Sequence, residues 1–472
     1  MTAPVRDIGA VIDRDFGGDP AHRVLAARID RLIIALDAAL TQQVNEILHH
    51  PDFRAMEARW RALARLVDQA QSGPGRVLVR VLNVSWSALR RDLERAVDFD
   101  QSHIYQLIYD GEFGMPGGLP FGLIVGDYDV SATTDRKRGD QVETLGRLSR
   151  VAAAAFCPVI LGAAPDLLGV DDFADIPAYA DLTDVQTGAR SLDDARRWDR
   201  LRQKDDTRFV GVVAPRVALR RAYRRYEITR TDGFTFDETA GRPLFVSGAF
   251  AFAATVMAAF HDSGWYAAIR GAFQDGSGGG RVPGFGAYDF GTDRHGLSAQ
   301  APVQTRFTSA QEDALIARGI VPLTALYLEP EAVFTANPSL HRPETYDSPV
   351  ATENARLGAM LQYVLCASRF AHYLKVMMRD AVGTVADAQT IEHRLSDWLR
   401  EYCLGNDDAD QDLKAAYPLR NGSVSVAPVL GRPGIYAATV RLQPHFQLDD
   451  VSTSFHLISE TSGQISPERI TA

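Results

Sequence analysis

From Glu353 to Asp380, apolar residues return at steps of three and four: Leu357, Met360, Leu361, Val364, Ala367, Ala371, Leu374 and Met378. That period puts them on one face of an α-helix that needs a core to receive it. Arg356, Gln362, Arg369, Lys375 and Arg379 fall largely on the other side, which predicts a polar outer face. Thr352 is the expected N-cap, with Glu353 in the first turn, and Gly383 the expected C-terminal stop. Unbroken, the helix would run roughly 40 Å at about 1.5 Å per residue.

The remaining chain predicts a mixed α/β body. Residues 1–22 have sparse apolar positions (Val5, Ile8, Val11, Ile12) before Gly17-Gly18-Asp19-Pro20, and read as an arm or a strand lacking a partner. From Arg23 to Ile47 the period is helical, with Val24, Leu25, Ile29, Leu32, Ile33, Leu36, Leu40, Val44 and Ile47 on one broad face. A second helix follows Asp52 and runs to about Val67. Arg76–Asn83 alternates and predicts a strand, then a helix from Ser85 to Val97. Further strands are expected up to Asp127-Tyr128, over Val159–Gly162 and over Arg208–Val213, with a helix at Val142–Ala155. This alternation predicts a largely parallel, helix-covered sheet within residues 76–270. Asp181–Asp206 reads as an exposed helical insertion and Asn337–Val350 as a linker. The tail predicts a helix over Ala386–Leu404, then strands at Val424–Val429, Ile435–Leu442 and Val451–Leu457. The implied domains are an arm (1–22), a helical segment (23–70), an α/β body (71–345) and a C-terminal helix-plus-strand α+β assembly domain (346–472).

Composition narrows the function. The 472 residues carry a net charge of −10, 46% hydrophobic and 23% charged residues, which suits a globular protein and argues against general affinity for nucleic acid or anionic membrane. Pro243–Phe260 is uncharged but rich in small residues, so a buried helix is expected there and no membrane insertion. Cys157, Cys366 and Cys403 are far apart and sit among apolar residues, which indicates neither a disulfide framework nor a zinc site and fits a reducing cytoplasm. Gly276-Ser-Gly-Gly-Gly280 lacks the Lys-Ser/Thr of a phosphate loop and reads as a mobile loop. Asp408, Asp410 and Asp412 start like a calcium loop but lack its glycine and final glutamate. Adjacent His49 and His50 point apart and cannot share a metal. No catalytic, metal or cofactor site is nominated, and no cofactor is expected.

Longer strings carry a resemblance. Asn354-Ala-Arg-Leu, Leu361-Gln-Tyr and Ser368-Arg-Phe-Ala-His-Tyr-Leu-Lys375 are joined by Glu46–Phe53, Leu82–Ser85, Arg91–Ser102 and Phe121–Tyr128. Arg208–Gly211, Gly264-Trp265, Tyr417–Arg420 and Leu442–Leu448 continue the series. Together, in collinear order, they resemble the large sheath subunit of bacterial type VI secretion systems (the TssC, VipB or ImpC family). The resemblance implies a non-enzymatic subunit of a helical polymer in the cytoplasm. It would join a small sheath subunit of the TssB/VipA type around an Hcp inner tube, meet baseplate components, and contract. An AAA+ ATPase would dismantle the contracted form. Ile8–Phe16 matches poorly the helix that such an ATPase recognises, so recycling is expected to be absent or to use another handle.

Asn354, Arg356, Gln362, Arg369, His372 and Lys375 are the family-motif positions, with His372 expected to be a hydrogen-bonded interface histidine. For inter-subunit strands the candidates are Val5, Ile8 and Val11 as a donated arm, and Val424, Val426, Tyr436, Ala438 and Val440 as the accepting sheet. Two other readings stand beside this one. One is the sheath of another phage-tail-like contractile device. The other is an α/β enzyme with a site gathered from Asp127, His372 and Arg216.

Overall fold

The computed structural model describes residues 20–113, 115, 117–134, 139–182, 192–223, 234, 236, 238, 243–272, 278–286, 288–289, 299–326, 329–381, 388–406, 409–428, 436–445 and 455–460. The arm with Val5, Ile8 and Val11 lies outside these residues, as do Gly383, Asp408 and the Gly431–Gly434 turn. In chain order the helices are α1 (Pro20–His49), α2 (Pro51–Ser72), α3 (Trp86–Arg95), α4 (Gln141–Ala155), α5 (Leu192–Arg202) and α6 (Gly248–Ser263). They continue as α7 (Ser309–Ala317), α8 (Pro349–Gly358), α9 (Leu361–Ala381), α10 (Ala388–Arg400) and α11 (Gln411–Ala416). The strands are β1 (Ile124–Val130), β2 (Val159–Ala163), β3 (Val210–Ala214), β4 (Val217–Arg220), β5 (Leu244–Val246) and β6 (Tyr288–Asp289). After them come β7 (Ala299–Gln300), β8 (Ile320–Ala325), β9 (Ala332–Phe334), β10 (Leu419–Pro428), β11 (Tyr436–Pro444) and β12 (Phe455–Glu460).

The chain divides into two compact units, Met1–Ala64 with Ala218–Val246 and Arg65–Val217 with Ser247–Ala472. In the smaller unit the β4–β5 pair stands with α1 and the start of α2. Arg220 grips Glu57 with two hydrogen bonds (2.7 and 3.0 Å) and reaches Glu238 at 2.8 Å. Tyr223 N–H donates to Glu238 and Arg61 donates to Glu57. Burial alone would raise both carboxyls; Arg220 outweighs it and holds them below the usual range, helped at Glu238 by the Tyr223 N–H.

The larger unit carries the central sheet, in order β1-β2-β3-β8-β9. Its first three joins are parallel and β8–β9 is antiparallel. Every residue of β2 and β3 is buried, as expected of strands covered on both faces. Alternation sends Val159, Leu161 and Val212 toward the Leu145, Leu148 and Val151 side of α4. The residues between them, Gly162 and Val213, meet the start of α6, where added bulk at Gly162 would strike Ser247. Asp140 caps α4 by accepting the Glu143 N–H, and Thr308 and Gln311 form a reciprocal capping box on α7.

Several expectations give way. The parallel sheet extends beyond residue 270, because β8 and β9 complete it. Among the described residues, Arg76–Asn83 lies in no ladder. The segment around α5 is no exposed insertion: Trp198, Leu201 and Arg202 are buried, since its apolar residues share one face. Residues 336–341 are no linker either. Leu340 N–H bonds Val210 O, and the Arg202 guanidinium donates to the carbonyls of Leu340 and Ala317. Gly279 and Gly280 are docked, with Phe334 N–H donating to Gly280 O at 2.9 Å, so this half of the glycine run is held.

The long helix is two helices. At the break, Leu361 N–H turns to Asn337 O (2.8 Å) and Ala359 O accepts from Ser339 N–H (2.9 Å). Residues 337–339 thus take backbone groups that a continuous helix would keep. The N-cap is Ser348 with Pro349 at N1, while Thr352 sits inside the first turn and accepts from Tyr346 N–H.

Beyond α9, α10 packs on the antiparallel sheet β10-β11-β12. Leu395 and Leu399 meet Val424, Val426, Ala438, Val440 and Leu442 in a second core, to which α9 contributes Phe370 and Leu374. Trp265 stacks on Phe370 with centroids 4.2 Å apart, and Tyr402 closes edge-on at 5.0 Å. Replacing fully buried Phe370 with alanine is expected to cost about 3–5 kcal/mol. A urea titration followed by tryptophan fluorescence checks this as a lowered midpoint.

Candidate functional site

A run of exposed apolar residues lies along α1. Ile33, Leu40 and Ile47 recur every seventh residue, with Leu36 between, which is the seam spacing of a coiled coil. Of the seam positions, Leu36 is 60% and Ile47 54% exposed, and Leu32 flanking the seam is 64% exposed. Leu25, Ile33 and Leu40 are exposed beside them. The periodicity predicts a helix correctly and a buried face wrongly, because period reports amphipathicity and not which chain supplies the cover. A patch of this kind marks an interaction surface.

The C-terminal sheet places the strand candidates differently from a row of free edges. Val424, Val426, Ala438 and Val440 point into the core beneath α10, and Tyr436 is half-buried. β11, with Tyr436, Ala438 and Val440, is the middle strand, hydrogen-bonded to β10 and β12. On β10, Val426 N–H is taken by the Glu392 carboxylate at 2.8 Å. Among the described residues, β12 forms the outer margin of this sheet.

The family-motif helix mostly faces inward. Arg356 is exposed and lies 3.9 Å from Glu353, and Asn354 is half-buried. Gln362 is only 1% exposed, and both its amide atoms lack a hydrogen-bond partner. Arg369 donates to Tyr373 Oη at 2.6 Å and lies over its ring. Lys375 sets its ammonium 4.3 Å from the Phe156 ring centroid and also faces Tyr109 and Phe113. Burial pushes its pKa down to about 8, whereas the three ring faces favour the charged form. The expected polar outer face therefore fails at Gln362, which is buried, and at Lys375, which packs against the body's aromatic rings.

His372 is a core residue. Its ring bonds the Ala155 carbonyl at 3.2 Å and packs on Phe113. Burial pushes its pKa down to about 3, and Arg369 and Lys375 add to the shift. Arg216 is engaged by Asp129 at 2.5 Å, so two residues of the dispersed constellation of Asp127, His372 and Arg216, namely His372 and Arg216, bond other partners. His49 turns to Glu238, and His50 Nδ1 accepts from the Asp52 N–H, each its own way. Among the described residues no cluster of His, Cys, Asp or Glu could hold a metal, and no helix is long and apolar enough to cross a membrane. All three cysteines are free thiols; Cys157 and Cys366 are buried, and burial pushes Cys366 up to about 12.

These features place the motif's polar side chains in packing and leave an apolar helix face open. The comparisons agree. Residues 30–341 match the EvpB/VC_A0108 (VipB) tail sheath N-terminal domain, and residues 350–461 match the family's tail sheath gpW/gp25-like domain. The chain belongs to this tail sheath family. It is 34% identical over 440 residues to the type VI secretion system sheath protein TssC1 of Pseudomonas aeruginosa PAO1, covering 92% of this chain and 85% of that protein.

The depressed His372 pKa sets a pH dependence. The unfolded chain takes up this proton near its ordinary value of 6.5, before the folded one does. The group's contribution to stability is therefore full above that value and falls as pH drops toward 3. Urea midpoints measured across this range should decline with acid in the wild type, and less steeply in His372→Gln.

Proposed function

We propose that this chain is the large subunit of a type VI secretion contractile sheath. It co-assembles in the cytoplasm with a small sheath subunit into a tube around an Hcp inner tube. Contraction of that tube propels the inner one. The observation that carries the reading is the open heptad seam on α1, in a chain whose family is that of tail sheaths. Apolar side chains such as Leu32, Leu36 and Ile47 exposed along one helix mark an interaction surface. The seam suits a helix from the small subunit, whose apolar stripe would complete a two-helix core.

In this reading residues 1–22 are an inter-subunit arm and 23–70 the helical docking segment. Residues 71–345 are the sheath body and 346–472 the assembly domain. Val5, Ile8 and Val11 donate a strand, and the C-terminal sheet accepts one at an outer margin, leaving the β11 positions Tyr436, Ala438 and Val440 to hold that sheet to α10. The subunit needs no cofactor and catalyses nothing; work comes from the difference in contacts between two lattice states. Baseplate components would nucleate the tube, and an AAA+ ATPase would act on it through a handle other than Ile8–Phe16.

Co-expression with the small sheath subunit encoded alongside, followed by negative-stain microscopy, is expected to give hollow tubes. A monomer that ignores that partner overturns the reading. The double variant Leu32→Asp/Leu36→Asp should keep its urea midpoint, since exposed positions usually change stability by less than about 0.5 kcal/mol, yet lose co-purification with the small subunit. Deleting residues 1–12 should leave the heterodimer intact and shorten the tubes. Tubes of normal length would remove the arm's role.

A further inference from the structure

Helix α1 ends on a joint of one residue. His49 closes that helix, His50 stands alone, and Pro51 opens α2. Proline has no N–H, so the hydrogen-bond ladder of α1 cannot run on through it. The backbone bonds at the joint are local: His50 N–H bonds Ile47 O at 3.2 Å, and Arg54 N–H bonds His50 O at 2.9 Å. The lever beyond the joint is long. At about 1.5 Å per residue α1 spans about 45 Å, so a swing of about 10° carries its far end about 8 Å. Among the described side chains of α1 only Ala26 and Asn45 are buried, and the Asn45 amide donates back to Thr41 O within the helix.

His49 reaches across this joint. Its Nε2 lies 3.2 Å from Oε1 of Glu238, which is only 2% exposed. Burial opposes ionisation of Glu238, and the Tyr223 N–H, Arg220 and His49 outweigh it. A carboxylate can only accept, so Nε2 is a protonated ring nitrogen and donates. The other oxygen, Oε2, accepts from Arg220 at 2.8 Å and from Tyr223 N–H at 2.9 Å. Arg220 grips Glu57 in the second turn of α2 with two further bonds. A chain of polar contacts therefore runs from the last residue of α1, through Glu238 and β4, into α2, and bypasses the joint. Its middle is braced, since Glu238 N–H bonds Tyr223 O and Arg61 links Glu57 to Tyr223 Oη.

We propose that Glu238 is a positioning residue that acts through His49 to fix the angle between α1 and α2, and so aims the apolar seam of α1. This role rests on the reading of α1 as the docking helix for the small sheath subunit. Neither residue belongs to the seam, so their effect on docking passes through the direction of the helix. The arrangement also gives His49 a task within the Glu46–Phe53 string, where its neighbour His50 serves only the start of α2 by accepting the Asp52 N–H.

Two spin labels on the full chain test the joint without any partner. Ala27→Cys on α1 and Ala55→Cys on α2 are exposed positions, and Cys403→Ser leaves Cys157 and Cys366, both buried, as the remaining thiols. Distances from pulsed electron paramagnetic resonance should be narrowly distributed in this background. In His49→Ala and in Glu238→Ala the distribution should widen by about 5 Å or more, as the length of the lever requires. His49→Gln keeps a side-chain N–H to donate and should restore the narrow distribution. Binding to the small subunit should follow the same order. If about one orientation in ten stays competent, the apparent Kd rises about tenfold. His49→Ala leaves the Glu57–Arg220–Glu238 contacts in place, so its urea midpoint should match that of the wild type.

A contact that merely stabilises the fold would lower the midpoint and leave the distances narrow. Distances as narrow in His49→Ala as in the background overturn the proposal, while wild-type binding of the small subunit keeps the docking reading. Widened distances with unchanged binding also overturn it, because the angle would then not aim the seam. If the unmutated chain does not bind the small subunit at all, the docking reading fails and takes the aiming role with it.

Discussion

Burial of α9 is the constraint on which the larger unit depends. Val364 of this helix joins the core beneath the parallel sheet, while Tyr363, Cys366, Phe370 and Leu374 join the core beneath β10 and β11. One helix therefore belongs to two hydrophobic cores. It has no solvent stripe over most of its length, and its polar residues must be accommodated inside. His372 meets a carbonyl and Lys375 meets ring faces, whereas Gln362 carries two unmet amide atoms, an unfavourable placement for a buried polar group. The break before Leu361 follows from the same crowding, because it lets residues 337–339 lock α9 to β3 through Leu340.

Much of the fold was legible in the sequence. Strand-helix alternation gave β1, α4, β2 and β3 with nearly correct bounds, since each has a clear period and a cap or turn at its ends. The C-terminal hairpin was legible for the same reason. The sequence misleads where an element's cover comes from elsewhere. Gln362 and Lys375 look like an outer face because their residue types are polar, but α9 is surrounded. Leu32 and Leu36 look like core because they are apolar, but α1 is open. Arg76–Asn83 has the alternation of a strand, and alternation is silent about ladder partners. The charged network of Glu57, Arg220 and Glu238 joins positions too far apart in sequence for any spacing rule to reach.

The family motif acquires a different meaning from its burial. Asn354 to Lys375 is part of the matched family sequence, yet most of its side chains are buried within this chain. The motif specifies how the sheet body and the C-terminal domain are welded.

The three thiols add a property of the assembled state. Cys157 lies in the core of the parallel sheet, Cys366 in that of the C-terminal sheet, and Cys403 borders the latter with its thiol turned to the Leu399 carbonyl. In a lattice repeating this chain many times over, Cys157 and Cys366 would offer no ready sulfur for bridging neighbouring copies, and half-buried Cys403 would be the thiol oxidising surroundings reach first. The same seclusion makes Cys157 and Cys366 resident sentinels. A thiol reagent would reach each only when its own core opens, separating loosening of the body from loosening of the assembly domain.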